Sequence, residues 1–217
     1  MIEYAHGWLA AGALAAYLLG SIPFGLLIAK ARGIDLRNQG SKNIGATNVF
    51  RCVGKGWGFL ALLLDALKGW IPAFLFPMAF ASSPDLPAAP LWTGLLFGMA
   101  AVVGHNWPVW LGFKGGKGVA TSAGMLLGLA PAAVGIALGV FLVVVIITRW
   151  VSLGSICAAL TVVAAGYYFY WPANKVLVVA LGVMALLVII RHHANIGRLL
   201  RGEESKLVWK KSPPSKP

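Results

Sequence analysis

The sequence predicts an all-α integral membrane protein, a single domain over residues 1–217 built as a bundle of about seven transmembrane helices. Three observations carry that expectation. Of 217 residues, 59% are hydrophobic and only 11% charged, whereas a soluble domain usually carries about 25% charged residues. So few charges cannot cover a water-facing surface of this size. The apolar residues come in blocks long enough to cross a bilayer, which takes roughly 20 residues at about 1.5 Å each. Lysine and arginine fall almost entirely between those blocks.

Backbone groups in lipid must find partners within their own segment, so the blocks are helices rather than open strands. Seven are marked, at residues 7–29, 57–80, 91–111, 118–130, 132–149, 152–171 and 175–190. The first follows Glu3 with no lysine or arginine before it, unlike the basic start of a secretory signal, and is expected to be a retained helix. The second carries Asp65 and Lys68, three apart on one helical face, where they can pair. Charges at that depth face the bundle interior. The third runs into His105, Asn106 and Pro108 of GHNWP, expected to shape the loop that follows. The fourth and fifth come from one apolar stretch, Val119 to Thr148, which Pro131 divides. The first piece rises only about 18 Å and reads as a short helix inside the bundle. A single kinked helix, giving six spans, is the alternative.

Charge orients the bundle. With the N-terminus extracytoplasmic, the inner segments are 30–56, 112–117, the junction at Arg149, and 191–217. They hold 16 of the 18 basic residues. Lys175 lies outside and Lys68 within a span. Such a split follows the positive-inside rule and places the C-terminus in the cytoplasm. The end, KKSPPSKP, reads as a flexible basic tail from about 207 to 217, near the lipid headgroups.

A net charge of +12 would suggest nucleic acid in a soluble protein. Here it points to topology and anionic ligands, and no nucleic-acid partner is expected. Cys52 and Cys157 lie in different segments without metal-ligand spacing and are expected to be free thiols. The acids Glu3, Asp35, Asp65, Asp85, Glu203 and Glu204 form no convergent metal set, so neither a metal nor another cofactor is expected.

Three inner segments carry more chemistry than a connecting loop needs. GSKNIGATNVFR, Gly40 to Arg51, combines two glycines, which permit close backbone approach, with Ser41, Asn43, Thr47 and Asn48 as neutral donors and Lys42 and Arg51 as cations. Its amides suit an anion-binding nest. FKGGKG, Phe113 to Gly118, sets Lys114 and Lys117 around Gly115 and Gly116 just before an apolar helix. The amides of that helix N-terminus and its dipole attract an anion. RHHAN, Arg191 to Asn195, follows the last span, where a histidine beside arginine and asparagine suits anion binding or proton movement. Ser21 and Ser152 fall near the same boundary and read alone as helix-packing serines.

The stretches LLGSIPFG, GSKNIGATNVFR, LLDALKG, GHNWPVWLGFKGGKGVATS, TRWVSLGSI and RHHANIGRLLRGEE run in order from about residue 17 to 204. In these the chain resembles the bacterial acyl-phosphate:glycerol-3-phosphate acyltransferases. That family's first loop commonly reads GSGN, where this chain has Lys42. His193 and Ala194 stand where it often has Lys-Glu. The resemblance implies seven helices with a cytoplasm-facing site in the cell (inner) membrane. It implies transfer of a fatty acyl group from acyl phosphate to the 1-hydroxyl of glycerol 3-phosphate. The products are lysophosphatidic acid and phosphate, in the first step of phospholipid biosynthesis. The partners so implied are glycerol 3-phosphate, acyl phosphate and membrane lipids. It places Ser41, Arg51, Lys114, His192 and Asn195 in the catalytic set and Asn43, Thr47, Asn48, Gly115, Gly116, Lys117 and Ser152 in the substrate-binding set. The general base is His192 or a substrate phosphate.

Two other classes share part of the pattern. A transporter for a phosphorylated anion would show repeated halves and midplane sites, and this chain shows no repeated half. A lipid phosphatase needs a histidine nucleophile with a flanking aspartate, and a nucleotide-alcohol phosphotransferase needs clustered acids; neither pattern is present.

Overall fold

The computed structural model describes residues 2–81 and 90–207. All regular structure among them is helical. Helix α1 (Ile2–Ser21) breaks at Pro23, which has no N–H to continue the ladder, and α2 (Phe24–Ala31) follows. The Ile22 carbonyl at the break accepts from Lys68 Nζ at 2.7 Å. Next come α3 (Ala46–Cys52) and α4 (Lys55–Trp70), which runs through one π turn (Ile71–Leu75) into α5 (Phe76–Ala81). Then α6 (Pro90–Asn106) leads to a loop with a 3₁₀ turn (Val109–Leu111), α7 (Val119–Leu129), α8 (Pro131–Thr148), α9 (Val151–Tyr170), α10 (Lys175–Arg191) and α11 (His193–Leu200).

Four helical stretches are long and apolar enough to cross a bilayer: Gly7–Ala31, Lys55–Ala79, Pro131–Thr148 and Val151–Tyr170, with a fifth if α10 and α11, bent by 59°, count as one. The outer face of α8 fits hydrocarbon rather than water, since Leu142, Val143, Ile146 and Ile147 are all exposed. The apolar stretch around Pro131 is two helices, not one. Ala130 leaves helical geometry at φ −142°, and Pro131 opens α8 at a position where its missing N–H is harmless. With 11 residues, α7 rises only about 17 Å and does not cross alone.

Two boundaries differ from expectation. The third apolar block stops at Asn106 rather than near 111, because Pro108 cannot donate to the ladder. The second half of the first polar loop is helical, as α3. Of the expected tail, only Leu207 is described; it is buried, and its N–H donates to Arg149 O at 2.8 Å. The remainder, 208–217, lies outside the described residues, as does Asp85.

In the packing, α1 lies along α6, α4 along α7, and α8, α9 and α10 follow in series. Small residues let backbones meet. A Cβ on Gly20 would stand 2.1 Å from Ala101 O, and one on Gly124 only 1.9 Å from Ala66 O. The main apolar core joins Met125 and Leu126 of α7 to Val102, Leu181 and Met184. A second cluster, around Leu36, Ile44, Val49 and Ala61, seats the first polar loop on α2, α3 and α4. Cys52 and Cys157 are free.

Candidate active site

At one end of the bundle, distant parts of the chain surround a cavity of ≈ 140 Å³. The first wall is the Gly40–Asn48 loop with α3. Its shape comes from Asn48, which is buried. Asn48 Oδ1 accepts from Ser41 N at 2.9 Å, and its Nδ2 donates to Gln39 O at 3.0 Å and Leu36 O at 3.3 Å. Gly40 sits at φ +58° with Asn48 Oδ1 2.3 Å from where a Cβ would be, so only glycine fits. Asn43 Oδ1 accepts from Gly45 N at 2.9 Å, just ahead of α3. Ser41, Asn43, Thr47 and Arg51 face the cavity. Arg51 Nη2 donates to Ser205 O at 2.9 Å, while its buried Nε has no partner among the described residues. Burial draws Arg51 below the ordinary arginine value.

The second wall is the loop 113–118. Arg191 holds it from behind: Nε donates to Gly116 O at 3.1 Å, and Nη2 to Gly116 O at 2.5 Å and Gly115 O and Asn106 O at 3.3 Å. The guanidinium also lies over the Trp107 ring. Gly115 N donates to Asn106 O and Gly116 N to His105 O, so both amides serve the loop itself. A Cβ on Gly116 would stand 2.0 Å from His105 Nε2. His105 in turn stands 3.6 Å from Asp65 Oδ1, which pairs with Lys68 at 2.8 Å. The side chain this loop brings to the cavity is Lys117. Burial pulls its ammonium down to about 8, against the opposing attraction of Glu204. Lys114 is exposed and outside the lining.

The third wall is α11 with the C-terminal strap 203–207. Asn195 Oδ1 accepts from Lys117 Nζ. Glu204 gathers the rest: Oε1 accepts from Asn195 Nδ2 at 2.6 Å and Ser152 Oγ at 2.7 Å, and Oε2 from Arg198 Nε at 2.7 Å. Burial raises the Glu204 carboxyl, but these three donors outweigh it and hold the group below its ordinary range. His192, just past α10, has Nδ1 2.8 Å from Val188 O, which places its proton there and leaves Nε2 as acceptor. Burial, then the Lys117 charge, push His192 down to about 4, so it is neutral at pH 7.

The structure thus gathers Ser41, Asn43, Thr47, Asn48, Arg51, Lys117, Ser152, His192 and Asn195 around one cavity. Gly115 and Gly116 stand behind Lys117 as its support. Glu204, Asp65 and His105 also line it. The sequence reading assigned Glu204 no role, although it is one of two acids closing a strongly basic segment. Ser155 also lines the cavity, its hydroxyl donating to Val151 O at 2.9 Å, and Leu62, Val119, Ala120, Phe141 and Val151 supply an apolar part of the wall. Among the described residues no three His, Cys, Asp or Glu are grouped to hold a metal ion. Positive charge at the cavity comes from Arg51 and Lys117.

Residues 10–202 match the family described as glycerol-3-phosphate acyltransferase. The glycerol-3-phosphate acyltransferase of Trichlorobacter lovleyi is 50% identical over 88% of this chain and 93% of its own, and that of Desulfotalea psychrophila 46% identical over 91% and 96%. The crystal structure of PlsY, an integral membrane glycerol 3-phosphate acyltransferase, in its glycerol 3-phosphate form superposes with a TM-score of 0.82. It is 42% identical and covers 92% of this chain and 96% of its own. A lysophosphatidic acid form matches with a TM-score of 0.80 at 40% identity. The apolar helices and the cationic cavity at their end define a multi-pass membrane acyltransferase. The chain belongs to the glycerol-3-phosphate acyltransferase family.

Proposed function

We propose that the protein transfers a fatty acyl group from acyl phosphate to the 1-hydroxyl of glycerol 3-phosphate, releasing lysophosphatidic acid and phosphate. The reaction is the first step of phospholipid biosynthesis. The observation that carries the reading is the convergence of Arg51 and Lys117, from separate loops, on one cavity rich in neutral donors and bordered by apolar side chains. That is the composition needed for two phosphates and an acyl tail. The glycerol 3-phosphate and lysophosphatidic acid forms of the related PlsY support the substrate and product.

Acyl phosphate is a mixed anhydride, so no covalent acyl-enzyme is required. The hydroxyl oxygen attacks the acyl carbon, the carbonyl becomes an oxyanion, and the carbon–oxygen bond to phosphate breaks with its electron pair going to phosphate. The hydroxyl proton passes to His192 Nε2 or directly to a substrate phosphate. A nitrogen held near 4 is a weak base but a good acceptor for orienting the hydroxyl, which favours phosphate as the final proton acceptor. Arg51, whose buried Nε has no partner among the described residues, clamps one phosphate. Lys117 carries a second charge to the cavity, and Ser41, Asn43, Thr47, Ser152 and Asn195 supply hydrogen bonds. Asn48, Gly115 and Gly116 set the geometry of the two loops, and exposed Lys114 adds to the attracting field. Holding hydroxyl and acyl carbon about 3–3.5 Å apart supplies much of the rate. The tail leaves past Leu62 and Phe141 toward lipid.

The topology proposed with this reading has seven membrane helices, the short α7 counted among them although it does not cross by itself, with the N-terminus outside and the site facing the cytoplasm of the cell (inner) membrane, the arrangement that puts 16 of 18 basic residues inside. Purified protein is given glycerol 3-phosphate with acyl phosphate, acyl-CoA or acyl-carrier protein in turn. Lysophosphatidic acid from acyl phosphate alone is expected. Product only from a thioester donor overturns the donor assignment.

A further inference from the structure

Lys42 occupies the left-handed region at φ +56°, where a residue with a Cβ is strained and glycine is not. Strain kept beside a functional cavity points to a use for the side chain. The strained residue lies between Ser41 and Asn43, both in the cavity wall. Its backbone is fixed on either side: Ser41 N is held by Asn48 Oδ1 at 2.9 Å, Lys42 N donates to Gln39 O at 3.0 Å, and Gly45 N is held by Asn43 Oδ1 at 2.9 Å. The direction of the Lys42 stem is therefore set by the loop.

The ammonium is uncompensated. Lys42 is exposed, and among the described residues no carboxylate pairs with it. Asp35 is held by Arg37 at 2.7 Å, Asp65 by Lys68 at 2.8 Å, Glu203 by Arg201 at 2.8 Å and Glu204 by Arg198 at 2.7 Å. We propose that Lys42 is an electrostatic capture residue at the rim of the cavity, one that raises the encounter rate of phosphorylated substrate without entering the acyl transfer. This rests on the reading of the cavity as a two-phosphate site. Glycerol 3-phosphate and acyl phosphate share the attracted group, and the separate KM values tell which one Lys42 serves.

The test compares wild type with Lys42→Gly, Lys42→Ala and Lys42→Arg. Both uncharged variants are expected to raise KM for one or both substrates about 3–10-fold at low ionic strength, and less than about twofold at about 0.5 M salt, with kcat nearly constant. Lys42→Arg keeps the wild-type KM. Lys42→Gly also relieves the strain and raises Tm by about 2–4 °C, which Lys42→Ala does not. A KM unchanged at low salt, or equally changed at high salt, overturns the proposal even if Tm rises. Calorimetric binding of glycerol 3-phosphate reads the same salt-dependent ratio without turnover. If binding shows the ratio but no donor yields lysophosphatidic acid, the acyl-transfer reading fails and the capture role stands; if neither this binding nor the KM for acyl phosphate shows the ratio, the capture role falls.

Discussion

Asn195 Nδ2 donates to Glu204 Oε1 at 2.6 Å across nine residues of chain. The bond closes the turn from α11 into the strap that also receives Arg51 at Ser205 O. One carboxylate thereby fixes Asn195, Ser152 and Arg198, and Asn195 in turn accepts from Lys117. Glu204 thus ties three donors together beside the cavity's cations.

Glu204→Ala leaves three donors without their acceptor, two of them on the buried residues Ser152 and Asn195. The expected loss is about 2–4 kcal/mol of stability, read as a lower Tm in detergent, with activity lost alongside. Glu204→Gln keeps an acceptor and should fall between wild type and alanine. Because the folded-state pKa lies below its ordinary 4.5, the contribution of Glu204 is full above that value. It is lost as pH falls through the folded pKa. The glutamine variant should therefore lose less stability on acidification.

In the proposed reaction Lys117 holds a phosphate and must be charged to do so, and its ammonium is pulled down to about 8 in the free protein. The expected kcat/KM falls as pH rises through about 8, since that ratio reports the free enzyme. Stability moves the other way. Between about 8 and the ordinary 10.5 the unfolded chain holds a proton that the folded chain has lost, so this group's contribution rises with pH. Lys117→Arg, charged throughout, should flatten the alkaline limb. A limb unmoved in that variant assigns it elsewhere.

Removing the cavity cations separates two neighbouring lysines. Arg51→Ala and Lys117→Ala should each cost about 2–4 kcal/mol in the transition state, or about 30- to 1,000-fold in kcat/KM. Arg51→Lys should rescue little, because an ammonium cannot replace the fork. Lys114→Ala, outside the lining, should cost less than about tenfold. Equal losses for Lys114 and Lys117 would show that the loop turns over on binding substrate.

Gly116→Ala places a methyl 2.0 Å from His105 Nε2 and must displace the ring that backs the Lys117 loop. A loss of at least about 100-fold in kcat/KM is expected. Gly139→Ala, with nothing within 4 Å, is the control and should be neutral or raise stability by about 0.5–1 kcal/mol. Comparable activity losses in the two would detach the loop's shape from the reaction.

The bundle was legible in the chain because its cause is local. Hydrocarbon demands apolar runs of a given length, and Pro23, Pro108 and Pro131 mark helix boundaries because proline has no N–H for the ladder, although Pro72 and Pro77 are accommodated within the second span, at and just after its π turn. The family was legible in long ordered motifs, and the match over residues 10–202 is to the same family. The roles within the motifs were harder to read. Asn48 is buried and occupied entirely within its loop, while Ser41 beside the same loop opens to the cavity; donor type does not tell the two apart. Nor does spacing say that of two lysines three apart, Lys117 faces the cavity and Lys114 faces out.

What the sequence determined alone was helical class, the placement of polar segments between apolar ones and the kinds of side chain available, since each follows from composition and short-range periodicity. What only the tertiary structure decided was partnership. Glu204 with Ser152, Asp65 with His105 and Arg191 with the Gly115–Gly116 carbonyls are pairs between helices, loop and strap from distant parts of the chain. Their energy depends on distances that no single stretch of chain contains.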